Sequence, residues 1–434
     1  MAKPKLALIP STVGGSVYSV LPSNGDGDFN FSRASAATRI NAQGLIETVA
    51  VGDNRLNYPL LDGTVQTCPH LLLEPQRTNL VTYSEDFSNA YWSKTRCTIN
   101  QNSIISPSGL LNASLLTATD TSENYIQSNV STAVSGTKQV ISCFVKKGTS
   151  DFTHLLLWDT SANGARQWFD LENGIIGTST SFGSGISVDS ASIEEYVNGW
   201  YRCIVVFNNS ITPVRFRISA SNGDGNFNSS IGKTIYIWGY QLEVGSYSTS
   251  YIVSNSGSAT TRIAEVCDGS GNASTFNDSE GVLMAQIGAL ANDGTNRMIS
   301  LTNGVDTTSN ATLYFIPTAN QIRYVYEVST SQQCSIVADI NVLQNNKFAI
   351  VYKLNRFELW GNGIKLGEDT SGTLNPQGTF TKLSFLRGAS QLPFYGKAKQ
   401  VQYFDSALTD SELETLTSWM SFSDMAIDLN YTIQ

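Results

Sequence analysis

The chain has 434 residues, a formal net charge of −9 and only 15% charged residues, so it is long enough for two or three domains and too acidic for a general phosphate-binding surface. We therefore expect no nucleic-acid partner. No apolar run is long enough to span a bilayer, and the apolar start of the chain ends at Pro10, too early for a signal peptide, which predicts cytoplasmic synthesis and no membrane insertion.

Residues 1–75 are predicted to form an extended N-terminal arm, an attachment region, because they hold few large apolar side chains. A β-hairpin is expected within the arm at residues 38–49, where Gly44 supplies the positive φ of the turn. An arm with so little apolar surface cannot fold alone, so we expect it to pack on another subunit or on a partner protein.

Residues 76–255 are predicted to form an antiparallel β-sandwich. Ser, Thr, Asn and Gly are frequent between short strand-like runs, and apolar and polar residues alternate at 214–218 and 235–238. Regularly spaced short strands with such turns are typical of sandwiches and jelly rolls. Residues 256–280 follow as a linker.

Residues 281–420 are predicted to form a second antiparallel β-sandwich, with a tight hairpin turn at 361–363. A short helix closes it, in which Thr409 is the N-cap and Glu412, three residues on, completes a capping box. Residues 421–434 form a C-terminal tail to which the sequence assigns no structure. The predicted fold class is therefore all-β, with an extended N-terminal arm, two antiparallel jelly-roll sandwiches and a short C-terminal helix.

Four segments in the first part of the chain carry a family resemblance: SRASAATR at 32–39, LLLEPQRTNL at 71–80, GWYR at 199–202 and YIWGYQLEVGS at 236–246. The first two resemble the N-terminal part of a family of tailed-bacteriophage virion proteins, where this part precedes carbohydrate-binding-like and laminin-G-like β-sandwiches. The last two resemble strands of the carbohydrate-binding-like jelly rolls in phage structural proteins.

The second sandwich resembles laminin-G or concanavalin-like domains through WGNG at 360–363, QYF at 402–404 and ALTDSELETL at 407–416. Together the resemblances imply a structural virion protein, either a head or tail fibre or a capsid decoration, that docks on capsid or tail proteins through its N-terminal arm. They imply a homo-oligomer, with a trimer preferred, and host or environmental glycans, including those of the cell surface, as candidate ligands. Its location on head, portal or tail stays open.

No catalytic constellation emerges from the sequence. The two histidines, His70 and His154, fall in different predicted domains, and no Ser/His/Asp arrangement or phosphate loop accompanies them. The adjacent Glu194 and Glu195 do not by themselves define the facing carboxylates of a glycosidase. We therefore predict a binding protein and no enzyme. The alternative is a receptor-binding adhesin or tailspike with polysaccharide depolymerase activity.

Two similar segments, 23–30 and 221–228, place oxygen ligands at alternate positions, as calcium loops do. Asp26, Asp28 and Asp224 are the weak calcium candidates. Both copies lack the glycine and the acidic residue that a calcium loop needs at its sixth and twelfth positions, and Asn-Gly and Asp-Gly are common turn dipeptides. A turn is the preferred interpretation, so no cofactor is expected and calcium is the alternative.

Trp92 and Tyr91 are the candidate glycan-binding residues, because they lie in a loop-like stretch where a ring can stack on a sugar. Anchoring of that loop is the alternative role. The six cysteines are widely spaced and form no CxxC pair or Cys/His cluster, which predicts free thiols rather than a zinc site or disulfides.

Overall fold

A computed structural model describes residues 3–8, 12–13, 16–128, 132, 134, 138–159, 161–305, 307–388 and 391–429. The strands of the N-terminal stretch are β1 (Leu6–Leu8), β2 (Thr12–Val13), β3 (Ser16–Val17), β4 (Phe29–Ser32), β5 (Ala37–Ile40), β6 (Ile46–Val49), β7 (Leu56–Asn57), β8 (Leu60–Leu61), β9 (Thr64–Val65), β10 (His70–Leu73) and β11 (Arg77–Asn79). Strands β5 and β6 form the predicted hairpin, and Gly44 in its turn has a φ of 78°.

The first sandwich is built from one continuous stretch of chain. Its strands are β12 (Trp92–Thr95), β13 (Cys97–Ile105), β14 (Leu111–Ala118), β15 (Tyr125–Ser128), β16 (Lys138–Lys147), β17 (Phe152–Trp158), β18 (Gly164–Asp170), β19 (Ile175–Phe182), β20 (Ile186–Tyr196), β21 (Trp200–Asn209), β22 (Arg215–Ser221) and β23 (Thr234–Val244). Sheet I has the order β12-β15-β22-β17-β18-β19, and sheet II has the order β13-β14-β23-β16-β21-β20. Alternate residues of the two sheets, such as Leu155, Phe216, Ile141 and Val205, meet in a buried core.

The second sandwich follows a short connection. Between the two sandwiches, β24 (Thr260–Arg262) pairs with β11, and β25 (Val266–Asp268) pairs with β4. The strands of the second sandwich are β26 (Glu280–Ala289), β27 (Arg297–Thr302), β28 (Asn310–Phe315), β29 (Gln321–Val328), β30 (Ser331–Asp339), β31 (Asn346–Lys353), β32 (Arg356–Gly361), β33 (Ile364–Asp369), β34 (Lys382–Ser384) and β35 (Gly396–Phe404). Sheet III has the order β33-β32-β31-β26-β35-β10-β7, and sheet IV has the order β30-β29-β28-β27-β34. The pairings are antiparallel, and the predicted all-β class is confirmed.

The N-terminal stretch completes the second sandwich. Strands β1 and β10 both pair with β35, with Leu6 opposite Tyr403 and Leu72 opposite Lys397, and β7 pairs with β10. The side chains of Leu6, Leu8, Leu71 and Leu73 are 0–1% exposed and belong to the second core. The expectation that the arm packs on another subunit or on a partner protein is corrected for β1 and β10, which pack on the second sandwich of the same chain. A few leucines at a spacing of two are enough, because they all point to one face of a sheet.

Five charged side chains form a buried charge cluster where the two sandwiches and the N-terminal stretch meet: Arg33, Arg55, Glu74, Arg262 and Glu265. Arg55 Nη2 lies 2.8 Å from Glu74 Oε2 and 2.5 Å from Glu265 Oε2. Arg262 Nη1 lies 2.8 Å from Glu74 Oε2, and Arg33 Nη1 lies 2.8 Å from Glu265 Oε1. The five side chains are 0–4% exposed, so each charge depends on the others for its solvation.

Three residues of the charge cluster come from segments that stand out in the sequence. Arg33 comes from the 32–39 motif, Glu74 from the 71–80 motif, and Arg262 from the later segment 259–263. Burial alone would raise the pKa of the Glu74 carboxyl, but Arg262, Arg55 and the hydrogen bonds from Ser250 lower it to about 2. These motif residues therefore join segments of the fold.

The C-terminal helices are α1 (Asp410–Thr417) and α2 (Phe422–Asp428). The capping box predicted at the start of α1 is confirmed, because the Thr409 side chain accepts from the Glu412 amide while the Glu412 carboxylate accepts from the Thr409 amide. The helix buries Leu413 against Met284 of sheet III. No helix in the described ranges is long and apolar enough to cross a membrane.

Candidate functional site

The structure places the two aromatic candidates in the first core. Trp92 is 1% exposed, its Nε1 donates to the Tyr83 carbonyl oxygen at 2.9 Å, and its ring centroid lies 5.3 Å from that of Phe87 and 5.6 Å from that of Phe216. Tyr91 is also buried and packs edge-on against Trp92. Trp92 therefore has no ring face open to a sugar, and the glycan-binding assignment of this pair is corrected. The rings anchor the start of the sandwich, because β12 begins at Trp92 and directs it inward.

Two of the calcium candidates lie in the N-terminal loop before β4 and are engaged locally. Asp26 Oδ2 accepts from the Asn24 side-chain amide at 2.9 Å, while Asp28 Oδ1 accepts from the Ser19 backbone amide at 2.7 Å and from its hydroxyl at 3.0 Å. These are contacts of a folded turn. Within the described ranges, no three His, Cys, Asp or Glu side chains come together in a way that could hold a metal ion. The expectations about cofactors stay predictions.

The third calcium candidate, Asp224, fastens the loop 222–228 over sheet I. Its Oδ1 accepts from the Thr178 backbone amide at 2.7 Å, and its Oδ2 accepts from the Thr178 hydroxyl at 2.6 Å. The carbonyl oxygen of Asn226 in the same loop accepts from Trp168 Nε1 at 3.2 Å. The loop therefore forms one border of the surface that sheet I turns away from the core.

That surface is a cluster of arginine, aromatic and acidic side chains on neighbouring strands. We call it the arginine–aromatic face, and it comprises Glu123, Tyr125, His154, Trp158, Arg166, Phe182, Arg217 and Phe227. It arises from the two-residue period of strands: on β22, Phe216 and Ile218 point into the core, so Arg217 between them points outward.

Arg217 is held between two rings. Its guanidinium carbon lies 3.9 Å from the centroid of Tyr125 and 4.3 Å from the centroid of Trp158. Arg217 Nε donates to Gln127 Oε1 at 2.5 Å, and Trp158 Nε1 donates to the same oxygen at 3.1 Å. Both rings are half-buried, so each keeps part of its surface in solvent. The arrangement fixes the two rings at a set distance, with a positive charge between them.

Arg166 also lies close to two aromatic rings, beside the loop 222–228. Its guanidinium carbon lies 5.6 Å from the Phe182 centroid and 5.1 Å from the Phe227 centroid. Phe227 is 45% exposed, an unusual position for a phenylalanine unless a neighbouring group covers it. Arg166 Nε is buried and makes no hydrogen bond within the described part of the chain. The residue as a whole is half-buried, so part of its side chain is open to solvent.

The carboxylate of Glu123 lies close to both Arg166 and Arg217. Glu123 Oε1 lies 3.2 Å from Arg166 Nη2, and Glu123 Oε2 lies 3.6 Å from Arg217 Nη1. Burial would raise the pKa of Glu123, but His154, Arg166 and Arg217 lower it, so the carboxylate is ionised at neutral pH. Burial lowers the pKa of His154, which keeps the imidazole neutral. The four groups together carry one positive charge in excess, on a protein whose net charge is −9.

The sequence contained one signal for this face. The alternation at 214–218 directs Arg215 and Arg217 away from the core whenever Phe216 points inward. It did not disclose that Tyr125, Trp158 and Glu123 would lie beside them, because strand neighbours in a sandwich are set by long-range pairing. Among the described residues that make up the face, Glu123 is the carboxylate, and arginine and aromatic side chains surround it.

No protein-family model and no curated protein matches the sequence. Among solved structures, the CBM40 of the Ruminococcus gnavus IT-sialidase bound to α2,3-sialyllactose is 15% identical over 33% of this chain and 84% of that chain, with a TM-score of 0.29. The NanB sialidase of Streptococcus pneumoniae is 13% identical over 34% of this chain and 25% of that chain, with a TM-score of 0.29. A SAP-like pentraxin of Limulus polyphemus is 15% identical over 33% of this chain and 72% of that chain, with a TM-score of 0.28.

Proposed function

We propose that this protein is a non-enzymatic, glycan-binding component of a tailed-phage virion, and that its arginine–aromatic face binds an acidic glycan. The observation that carries the binding proposal is the Arg217 guanidinium between the half-buried rings of Tyr125 and Trp158. Holding the rings in place before a ligand arrives reduces the entropy that binding costs.

The chemistry of the face matches a sugar acid. The C–H faces of a sugar ring pack on Trp and Tyr rings, whose edges remain available for hydrogen bonds. A guanidinium binds a carboxylate through parallel N–H groups. We assign the sugar carboxylate to Arg166, whose side chain is half-buried, and the stacking to Trp158. Arg217 positions the rings.

Calorimetric titration with trigalacturonate tests this assignment. Trp158→Ala and Arg166→Gln should each weaken binding about tenfold, the effect of losing roughly 1–2 kcal/mol of stacking or one charge-assisted hydrogen bond. The matched control is Arg323→Gln, which removes a half-buried arginine 6.0 Å from the Tyr314 ring on sheet IV and should leave binding unchanged. Equal affinity of the wild type and both face variants would contradict the proposal.

The virion assignment rests on the segments at 32–39, 71–80, 199–202 and 236–246. Immunogold electron microscopy of intact phage particles should place the protein on a head or tail appendage. Absence of the protein from purified particles that infect normally would contradict this part of the proposal and leave the binding assignment untouched.

The binding protein and the depolymerase differ in their effect on the polymer. Host polysaccharide incubated with the protein should keep its chain length in size-exclusion chromatography. Reproducible shortening would overturn the non-enzymatic proposal in favour of the depolymerase. We favour the binding protein, because Glu123 is the carboxylate among the described residues of the face and pairs with two arginines, whereas a glycosidase needs two facing carboxyl groups.

A further inference from the structure

A cavity of about 650 Å³ lies between the two sandwiches, and its lining extends to Asn173 and Gly174 in the β18–β19 turn. Strands β20 and β21 of sheet II form one wall, and β10 and β35 of sheet III form the floor. Residues 38–40 and 57–62 of the N-terminal stretch close the top. A volume of this size lies within the range of about 300–1,000 Å³ that is typical of small-molecule sites. We call it the inter-sandwich cleft.

The floor presents two polar side chains, His70 and Lys397, that find no hydrogen-bond or ion-pair partner among the residues that the structure describes. His70 is 1% exposed, and neither ring nitrogen makes a hydrogen bond within the described ranges. Burial and the charges of Lys397 and Lys399 lower the pKa of His70 well below its usual range, so the imidazole is neutral and offers one donor and one acceptor. A buried polar group without a hydrogen-bond partner is costly, so a ligand that hydrogen-bonds to His70 gains from satisfying it.

Lys397 is the second such group, next to Leu72 in the sheet register. Its side chain is half-buried, and within the described part of the chain its ammonium has neither a salt bridge nor a hydrogen bond. Burial lowers the pKa of Lys397, and Glu194 is the carboxylate that opposes this most strongly. An ammonium group in this position provides up to three hydrogen-bond donors to the cleft.

The opposite wall provides an acceptor. Glu194 on β20 is exposed to the cleft, and its carboxylate has no hydrogen-bond or ion-pair partner among the described residues, Lys397 included. The nearby Arg202 is 4% exposed, and its Nε also lacks a partner. Apolar surface between these polar groups comes from Leu72, Leu290 and Ile193.

We propose that the inter-sandwich cleft is a second binding site, for a neutral oligosaccharide. Lys397 only donates, Glu194 only accepts, and His70 does both, so the complementary ligand must donate and accept at neighbouring positions. Sugar hydroxyl groups do so, and the C–H faces of the ring fit the apolar surface between the polar groups. A ligand with an anionic group would meet the Glu194 carboxylate, which separates this site in specificity from the arginine–aromatic face.

Calorimetry of the full chain with maltotriose, cellotriose and triacetylchitotriose tests the proposal. At least one should bind, and Lys397→Met and Glu194→Gln should each weaken that binding about tenfold, the effect of losing one hydrogen bond to a charged group. Glu194→Gln keeps the shape of the side chain, and Lys397→Met removes the ammonium group while keeping an unbranched chain of similar length, so the thermal unfolding of both variants should match the wild type. Lys353→Met removes an exposed lysine of sheet III outside the cleft and should change nothing.

Two results would overturn the proposal. One is the absence of heat for all three saccharides at millimolar concentration; the other is binding that survives both cleft substitutions. Trigalacturonate binding should be the same in the Lys397→Met and Glu194→Gln variants as in the wild type. Failure of this site is therefore distinguishable from failure of the arginine–aromatic face, whose variants are Trp158→Ala and Arg166→Gln.

Discussion

Glu74 lies inside the protein between Arg55 and Arg262, and its carboxylate also accepts from the amide of Ser250 at 2.8 Å and from the Ser250 hydroxyl at 2.6 Å. A carboxylate with so many donors is held in its ionised form. Removing one partner of such a group is far more costly than the net gain of the pair, because it leaves a buried charge without compensation.

The protein should therefore lose stability in acid through Glu74. Its pKa is about 2 in the folded protein, below the ordinary 4.5, so its stabilising contribution is complete above about pH 4.5 and is lost as the pH falls towards 2. Glu74→Gln should lower the free energy of unfolding at pH 7 by about 3–5 kcal/mol and flatten its dependence on pH in that window. Denaturant titrations from pH 2.5 to 7 measure both effects.

Glu47→Gln is the control, because Glu47 pairs with Arg39 in a partly exposed salt bridge. Its cost should stay within about 1 kcal/mol. Equal stability of the Glu74→Gln variant and the wild type at neutral pH would show that the charge cluster does not hold the segments together.

Single residues were predictable from sequence where local pattern decides their direction. The alternation around Phe216 placed Arg217 outside the core, and the spacing of Thr409 and Glu412 identified the start of α1. The prediction that Trp92 binds glycan was wrong. Its polar neighbours suggested a loop, whereas long-range packing against Phe216 determines its burial. His70 was visible as a histidine, but its lack of partners depends on how β10 sits in sheet III.

At the scale of elements, strand β10 connects the N-terminal stretch to the second core. Leu71 and Leu73 point into that core, while His70 and Leu72 point to the inter-sandwich cleft. The sequence predicted a strand-rich chain and its C-terminal helix, but it could not reveal that β1 and β10 pair with β35. Such a pairing joins residues more than 300 positions apart, and local periodicity carries no information about partners at that separation.

Truncation within β10 should therefore destabilise the second sandwich. Leu71→Ala should lower the free energy of unfolding by about 2–5 kcal/mol, because it removes a fully buried side chain and leaves a cavity. Leu110→Ala, at a 63% exposed position of the β13–β14 turn, should change stability by no more than about 0.5 kcal/mol. Urea unfolding followed by fluorescence makes the comparison. An arm that packs only on a partner protein would instead give the two variants the same stability as the wild type.

At the scale of the whole molecule, assembly is still a prediction. The sequence resemblance implies a homo-oligomer, with a trimer preferred, and weak glycan contacts become useful when several copies act together. Sedimentation equilibrium of the purified chain should give a mass of three times 47.0 kDa. A monomer at micromolar concentration would contradict the trimer, and the two proposed glycan sites would still be testable on it.

The pairing of β1 with β35 means that the first sandwich is an insertion within the second. During synthesis the insertion can fold as soon as its own strands have emerged, while the leucine-bearing strands ahead of it wait for a partner near the other end of the chain. At about 5–20 residues per second, that wait lasts roughly 20–80 s. For this time β1 and β10 are open sheet edges with apolar faces, the kind of segment that aggregates or recruits a chaperone. The yield of folded protein should therefore depend on the supply of chaperones that bind nascent chains more than on the stability of either sandwich.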